Sequence, residues 1–185
     1  MREPTARAAL RSARLTFVPL GREHAAEVKA LFGDPGVRAI YGDGRDADDR
    51  VDAWIAWSQS QPEKNAVGHW VLASAEVPFV GLCGVMRMVV DGVEDLEVGY
   101  LLRDASTGRG YATEAAAFAC DYTFASFDVP RVISIIHVDN VPSMRVAERN
   151  GFVFARETRW REMDVRIYVM TREAWESRRR VDGNV

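Results

Sequence analysis

The sequence predicts an α/β (α+β) domain, a mixed and mostly antiparallel sheet of about seven strands flanked by helices. Three observations carry that expectation. Runs rich in β-branched and aromatic residues between Gly68 and Leu102 are parted only by Glu76-Val77-Pro78 and Asp91-Gly92, separators short enough for consecutive antiparallel hairpins. An alanine-rich helical stretch follows and leads to another strand, so a helix crosses over between two strands. The 185 residues, 48% of them hydrophobic, suffice for one well-buried core and are few for two.

The elements follow in order. Leu15, Phe17 and Pro19 alternate with more polar neighbours, as a strand does, and Ala25, Ala26, Val28, Leu31 and Phe32 recur at helical spacing until Gly33-Asp34-Pro35-Gly36 breaks the pattern. A second helix is expected from Asp46 to Gln61, where acids suit the positive end and Val51, Trp54, Ile55 and Ser58 share a face, with Pro62 helping to end it. Strands are expected over His69 to Ala75, Phe79 to Val90 and Asp95 to Leu102, then a helix from Gly110 to Ser126, stopped before Pro130. A strand Arg131 to Val138, a short helix Pro142 to Asn150, and strands near Phe152 to Glu157 and Val165 to Thr171 complete the pattern. Residues 1–185 form a single domain on this reading, with a core from about Leu15 to Trp175 and short flexible tails, Arg178-Arg179-Arg180 among them.

Composition removes several function classes. With 27 acidic against 24 basic residues the net charge is −3, which gives no surface organised around a nucleic-acid backbone. Only Cys83 and Cys120 occur, each inside an apolar run and neither in metal-like spacing, so no disulfide framework and no metal are expected. Arg2, Arg7, Arg11 and Arg14 precede no apolar block of signal-peptide length, and no run approaches membrane-spanning length, so a cytoplasmic protein without a membrane partner is expected.

The chemistry is concentrated in Thr107-Gly108-Arg109-Gly110-Tyr111-Ala112-Thr113-Glu114-Ala115. Two glycines let the backbone approach a ligand closely, and the first amides of the following helix present partial positive charge, so the turn suits a phosphate or pyrophosphate. A P-loop is excluded, because neither Lys29 nor Lys64 stands near a glycine-rich turn. A dinucleotide fingerprint lacks its third glycine at Thr113 and is preceded by antiparallel strands.

The segment Thr107 to Ala112 resembles the acetyl-coenzyme A signature of the GNAT superfamily of N-acetyltransferases, Gln/Arg-x-x-Gly-x-Gly/Ala, with Gly110 and Ala112 at its fixed positions and Thr107 where the family usually has Gln or Arg. Glu97-Val98-Gly99-Tyr100-Leu101-Leu102, Gly110 to Ala115, Asn140-x-x-Ser143 and Asn150-Gly151-Phe152 resemble the branch containing the RimJ and RimL ribosomal-protein acetyltransferases. The likeness covers the chain from about Leu15 to Trp175. It implies a GNAT fold and attack of a neutral amine on the thioester of acetyl-coenzyme A, by direct transfer in a ternary complex. The acceptor it implies first is a protein N-terminal α-amine. A small amine (amino acid, polyamine or aminoglycoside) and a non-catalytic acyl-coenzyme A module are the alternatives, in a monomer or homodimer.

The resemblance also implies roles. Pyrophosphate falls to Thr107, Gly108, Arg109, Gly110, Tyr111, Ala112 and Thr113, with the Arg109 side chain either on the anion or in solvent. The thioester falls to backbone amides where Tyr100, Leu101 and Leu102 are splayed from a neighbouring strand, and Gly99 is expected to mark a bulge or a close backbone approach there. An α-amine with a pKa of ~7.7 to 8.0 needs only a weak base, and Glu97 and Glu162 are the candidates. Many family members protonate the leaving thiolate with a tyrosine at the position of Ala147, so Ser143 becomes the candidate acid. Asn140 either caps the helix begun by Val141-Pro142, contacts the cofactor, or does both. Trp54 or Trp57 could line the acceptor site, and Asp43, Asp46, Asp48 and Asp49 form either a solvated helix start or a negative rim attracting a cationic amine. His24, His69 and His137 lack ligand spacing and are expected to be structural.

Overall fold

The computed structural model describes residues 9–64 and 66–181; Arg2 and Arg7 lie outside the described residues. Its sheet has the order β1-β2-β3-β4-β5-β6-β8-β7. The strands are β1 (Leu10–Arg11), β2 (Leu15–Pro19), β3 (Gly68–Ser74), β4 (Gly81–Val90), β5 (Val93–Leu102), β6 (Arg131–His137), β7 (Val153–Trp160) and β8 (Met163–Thr171). Every pairing is antiparallel except β5 with β6. The eighth strand, beyond the seven expected, is the two-residue β1, which pairs Leu10 opposite Phe17.

Among the described residues six α-helices pack on the two faces: α1 (Ala25–Gly33), α2 (Pro35–Tyr41), α3 (Asp48–Gln59), α4 (Tyr111–Ser126), α5 (Val141–Arg149) and α6 (Arg172–Val181). Side chains alternate across the sheet, so Val71 and Leu82 join α1 and α3 on one face. On the other, Leu15, Phe17, Trp70, Leu72 and Val98 join α4 and α5, where Phe17 stacks on Phe118 at 4.0 Å. Cys83 and Cys120 are buried in this second layer, and burial raises both thiols above their ordinary pKa, so neither offers a thiolate.

One expectation about the helices needs an addition and one a correction. Gly33-Asp34-Pro35-Gly36 ends α1 at Gly33 as expected, and it also starts α2, because proline at the first helical position gives up only an amide that would be unpaired anyway. Asp34 binds Arg103 through two hydrogen bonds of 2.7 and 3.1 Å, while the Asp104 carboxylate accepts the Gly36 amide. This reciprocal tie fixes α2 over the C-terminal end of β5. Arg178-Arg179-Arg180, expected in a flexible tail, belong to α6, whose Trp175 stacks on Phe124 at 5.0 Å and whose Arg179 lies over Trp175. The apolar stripe of α6 holds those arginines in a helix.

Candidate functional site

The decisive feature is a parting of the sheet. β4 and β5 remain in register from Val90 opposite Val93 to Gly81 opposite Leu102, whereas β5 and β6 meet at one register pair, Glu97 opposite Ile133. Past Glu97 the residues Val98 to Leu102 are paired only on the β4 side, so the β6 side of the strand is open over Tyr100, Leu101 and Leu102. The expected bulge at Gly99 is absent, since the β4–β5 register does not shift there. The glycine serves another purpose. A β-carbon on Gly99 would stand 3.0 Å from the Glu97 carboxylate and 3.1 Å from the Met86 methyl, so glycine leaves room for the acid.

Glu97 is 7% exposed and lines a cleft of about 640 Å³ beside the parting. Burial raises its pKa from 4.5 to about 7, against the opposing pull of the Ile135 amide and the Arg161 guanidinium. The carboxylate is therefore poised to exchange a proton near neutrality. Trp54, Trp57 and His69 line the same cleft, and the His69 ring lies 4.2 Å from that of Trp54. Burial pushes His69 down to about 3, so its ring is neutral, with Nδ1 3.1 Å from Ser58 Oγ. Tyr41 stands opposite, its phenol raised to about 12 by burial and by the charge of Glu97.

The far wall comes from the β7–β8 hairpin. Its Trp160 donates Nε1–H to Val89 O at 3.0 Å, and Arg156 and Thr158 bind Asp91 in the β4–β5 turn. Val90, Ile133, Val165 and Ile167 pack beneath them. The turn itself, Arg161-Glu162, has both residues at positive φ, 47° and 67°, where glycine and asparagine are favoured. Arg161 faces the cleft, but Glu162 is 96% exposed and lies outside the cleft wall, so the structure does not bring this candidate base to Glu97. Glu162→Gly is expected to stabilise the fold by about 1 kcal/mol through relief of the left-handed backbone, with turnover unaffected; denaturant titration and an acetyl-transfer assay check both.

The glycine turn lies past the other end of β5. Gly108 and Gly110 adopt φ of 73° and 79°, and Gly110 caps α4 in the left-handed conformation with no side-chain cap. Glu114 donates the first α4 bond to Gly110 O, which leaves the amides of Tyr111, Ala112 and Thr113 without helical acceptors. Arg14, bound to Glu114 Oε2 at 2.7 Å and to Arg109 O at 3.0 Å, holds the turn from behind. The Arg109 side chain is paired with Glu76 at 2.6 Å and Thr107 Oγ1 donates to Asp104 O, so backbone amides are the donors the turn leaves free.

A family model described as "Acetyltransferase (GNAT) domain" matches residues 14–153. The chain belongs to the GNAT acetyltransferase family. It is an N-acetyltransferase domain that uses acetyl-coenzyme A. Among relatives, it is 28% identical over 148 residues to the uncharacterized protein YkkB of Bacillus subtilis, covering 80% of this chain and 86% of that one. Among solved structures, RimL, an α-N-protein acetyltransferase in complex with coenzyme A, superposes with a TM-score of 0.74 at 14% identity, covering 90% of this chain and 99% of that one. The spermidine N-acetyltransferase of Vibrio cholerae, with coenzyme A and spermine, gives 0.70 at 17%, covering 89% and 99%. At these identities the two structures speak for the fold.

The uncapped α4 amides and the open edge of β5 fit the pyrophosphate and pantetheine of this GNAT cosubstrate. Ser143, in the first turn of α5, faces that edge: its carbonyl accepts the Tyr100 hydroxyl at 3.3 Å. Asn140 caps α5 through Oδ1 to the Ser143 amide at 3.2 Å, so the capping role is present in the fold. Asn140→Ala is expected to cost about 1 kcal/mol of stability and to raise KM for acetyl-coenzyme A less than about threefold; a larger rise would assign the side chain to the cosubstrate.

The acidic cluster is not a negative rim. Asp43 alone of the four lines the cleft, and it is paired with Arg38; Asp48 is paired with Lys29. The charges the sequence left unnoticed are Arg45, Arg50 and Arg161, all on the cleft wall. Among the described residues no group of histidines, cysteines and acids could hold a metal, and no helix is long and apolar enough to cross a membrane.

Proposed function

We propose that this chain transfers the acetyl group of acetyl-coenzyme A to an α-amine, with Glu97 as the general base and a protein N-terminus as the acceptor class. The observation that carries the reading is the position of Glu97, a buried carboxyl with a pKa of about 7 at the last paired point before the strands part. An α-amine titrates at ~7.7 to 8.0, so a base near 7 can take its proton with little mismatch, whereas a lysine amine near ~10.4 would arrive mostly charged. The sequence resemblance of Glu97 to Leu102 and of Asn140-x-x-Ser143 to the RimJ and RimL branch supports the protein N-terminus as the acceptor class.

Acetyl-coenzyme A supplies an activated acyl carbon whose bond to sulfur breaks as the bond to the amine nitrogen forms. Glu97 receives the proton that the nitrogen loses. The amides of Tyr100 and Leu102, which alternation along β5 directs away from β4, align the thioester by adding to the β5 edge. In this scheme the Ser143 hydroxyl is the proton donor to the departing sulfur. Trp54 and Trp57 shield the amine from water. Release of free coenzyme A thiol, followed with a panel of α-amines and ε-amines, tests the proposal. Turnover restricted to α-amines supports it, and none with any amine despite acetyl-coenzyme A binding would favour a non-catalytic module.

A further inference from the structure

We propose that the acceptor carries a carboxylate within about one residue of its amine, and that Arg45, Arg50 and Arg161 receive it. The inference rests on the acetyl-transfer reading above and names the chemistry of its acceptor. All three guanidiniums line the cleft that holds Glu97, and among the described residues none of them has an ion-pair partner. Other arginines of the fold do: Arg103 with Asp34, Arg131 with Asp95 and Arg166 with Glu157. The cleft's own acids do not offset them, since Asp43 is already bound to Arg38 at 2.6 Å and Glu97 is half-ionised near neutrality.

Two of the arginines, Arg45 and Arg161, are held in place. Arg45 is half-buried, lies 5.1 Å over the Tyr41 ring, and donates Nε–H to Tyr41 O at 3.1 Å, which leaves the rest of its fork free. Arg161 lies 4.4 Å over the Trp160 ring. That residue occupies a left-handed position at φ 47°, and a side chain there costs roughly 1–2 kcal/mol that glycine would avoid. Burial holds Arg45 below arginine's ordinary pKa; Tyr41 opposes this, and Arg161 and Arg50 lower it further. Three mutually repelling cations arranged around one space favour an anionic guest, and the planar guanidinium fork suits a carboxylate.

The guest is not the cosubstrate's pyrophosphate. No residue of the turn from Thr107 to Thr113 lines this cleft, and the amides that suit phosphate belong to that turn. The acceptor side is where these arginines remain to be used. A polyamine entering there would meet like charge, at a cost that works against the cationic acceptors of the spermidine enzyme. Two sources supply the chemistry: the α-carboxylate of a free amino acid, or an acidic side chain in the first two residues of a protein N-terminus.

The test uses the full chain with acetyl-coenzyme A and reads kcat/KM by thiol release, expressed per concentration of neutral amine, for the pairs leucine against leucinamide and the peptide Ala-Glu-Gly amide against Ala-Gln-Gly amide, with spermidine as the cationic control. The acid is expected to exceed its amide at least about tenfold in one pair, and the pair that shows it identifies the source. Arg45→Gln and Arg161→Gln should each shrink that ratio, through KM more than kcat. Ratios near one, or a preference for spermidine, overturn the proposal. If no amine turns over, the acetyl-transfer reading fails by itself; calorimetric titration of the N-acetylated pairs into the chain loaded with coenzyme A then decides the present one. Acid binding at least about tenfold tighter than amide upholds it, and equal or undetectable binding overturns it.

Discussion

Glu97→Gln is expected to lower kcat by about 10²- to 10³-fold, the share of a rate that a positioned general base supplies, and to remove the ascending limb of the pH–rate profile near pH 7. The wild-type limb reflects ionisation of a carboxyl whose pKa stands at about 7. The substitution keeps an oxygen for the Ile135 amide and the volume beside Gly99, so it changes charge with little change in packing. Stability should move the other way. The native state holds the Glu97 proton more tightly than the unfolded chain, so the folded protein is penalised as pH rises from 4.5 through about 7. That displacement corresponds to about 3 kcal/mol at most. The glutamine variant should thus be more resistant to denaturant than wild type at pH 8, with the advantage vanishing below pH 4.5. An acid whose removal stabilises the fold while abolishing turnover is retained for chemistry.

Gly110→Ala should show the second large effect, on cosubstrate binding. At φ 79° an alanine pays roughly 1–2 kcal/mol of left-handed strain, and its β-carbon would stand 3.3 Å from Nη2 of the Arg14 guanidinium, whose Nε and Nη1 hold the turn. Relief of that strain turns the backbone at the start of α4 and shifts the Arg14 guanidinium, and with them the aim of the Tyr111, Ala112 and Thr113 amides. Hydrogen bonds to a charged group are worth about 1.5–3 kcal/mol each, so misdirecting one raises KM for acetyl-coenzyme A by about tenfold or more. Gly108→Ala is the comparison: its β-carbon would meet nothing within 4 Å, so it carries the backbone strain alone. Saturation kinetics on both variants check the ordering, and a Gly108 effect equal to that of Gly110 would place the anion elsewhere.

Much of this was legible in the chain, for reasons that particular residues make plain. β4 and β5 could be read because Asp91-Gly92 supplies a two-residue turn, with φ of 52° and 77°, between alternating runs. The glycine turn could be read because its glycines sit at the two positions that need positive φ before α4. Pro35 was ambiguous, since proline after a helix reads as a stop and is equally suited to begin the next one. Gly99 signals a bulge or a close approach in the sequence, and the structure adds a third use: the residue it accommodates, Glu97, is its own neighbour on the same strand face.

The cleft arginines were illegible in a stricter sense. Arg45 stands in the connection from α2 to α3, Arg50 in the first turn of α3 and Arg161 in the β7–β8 turn, so only tertiary packing brings them to one space. The raised pKa of Glu97 has the same origin: a carboxyl in a strand pattern carries no mark of its burial until the sheet opens on one side of it. The signal available in advance was the pairing of a charged residue with Gly99 two positions later, inside the otherwise apolar run from Leu96 to Leu102.

The most direct measurement of the central claim is an NMR titration of the Glu97 side-chain carboxyl carbon, assigned by its disappearance in Glu97→Gln. A midpoint near 7 is the expected result. A midpoint near 4.5, the value of an ordinary solvated glutamate, would contradict the account, because such a carboxyl would be neither buried at the parting of the strands nor matched to an α-amine.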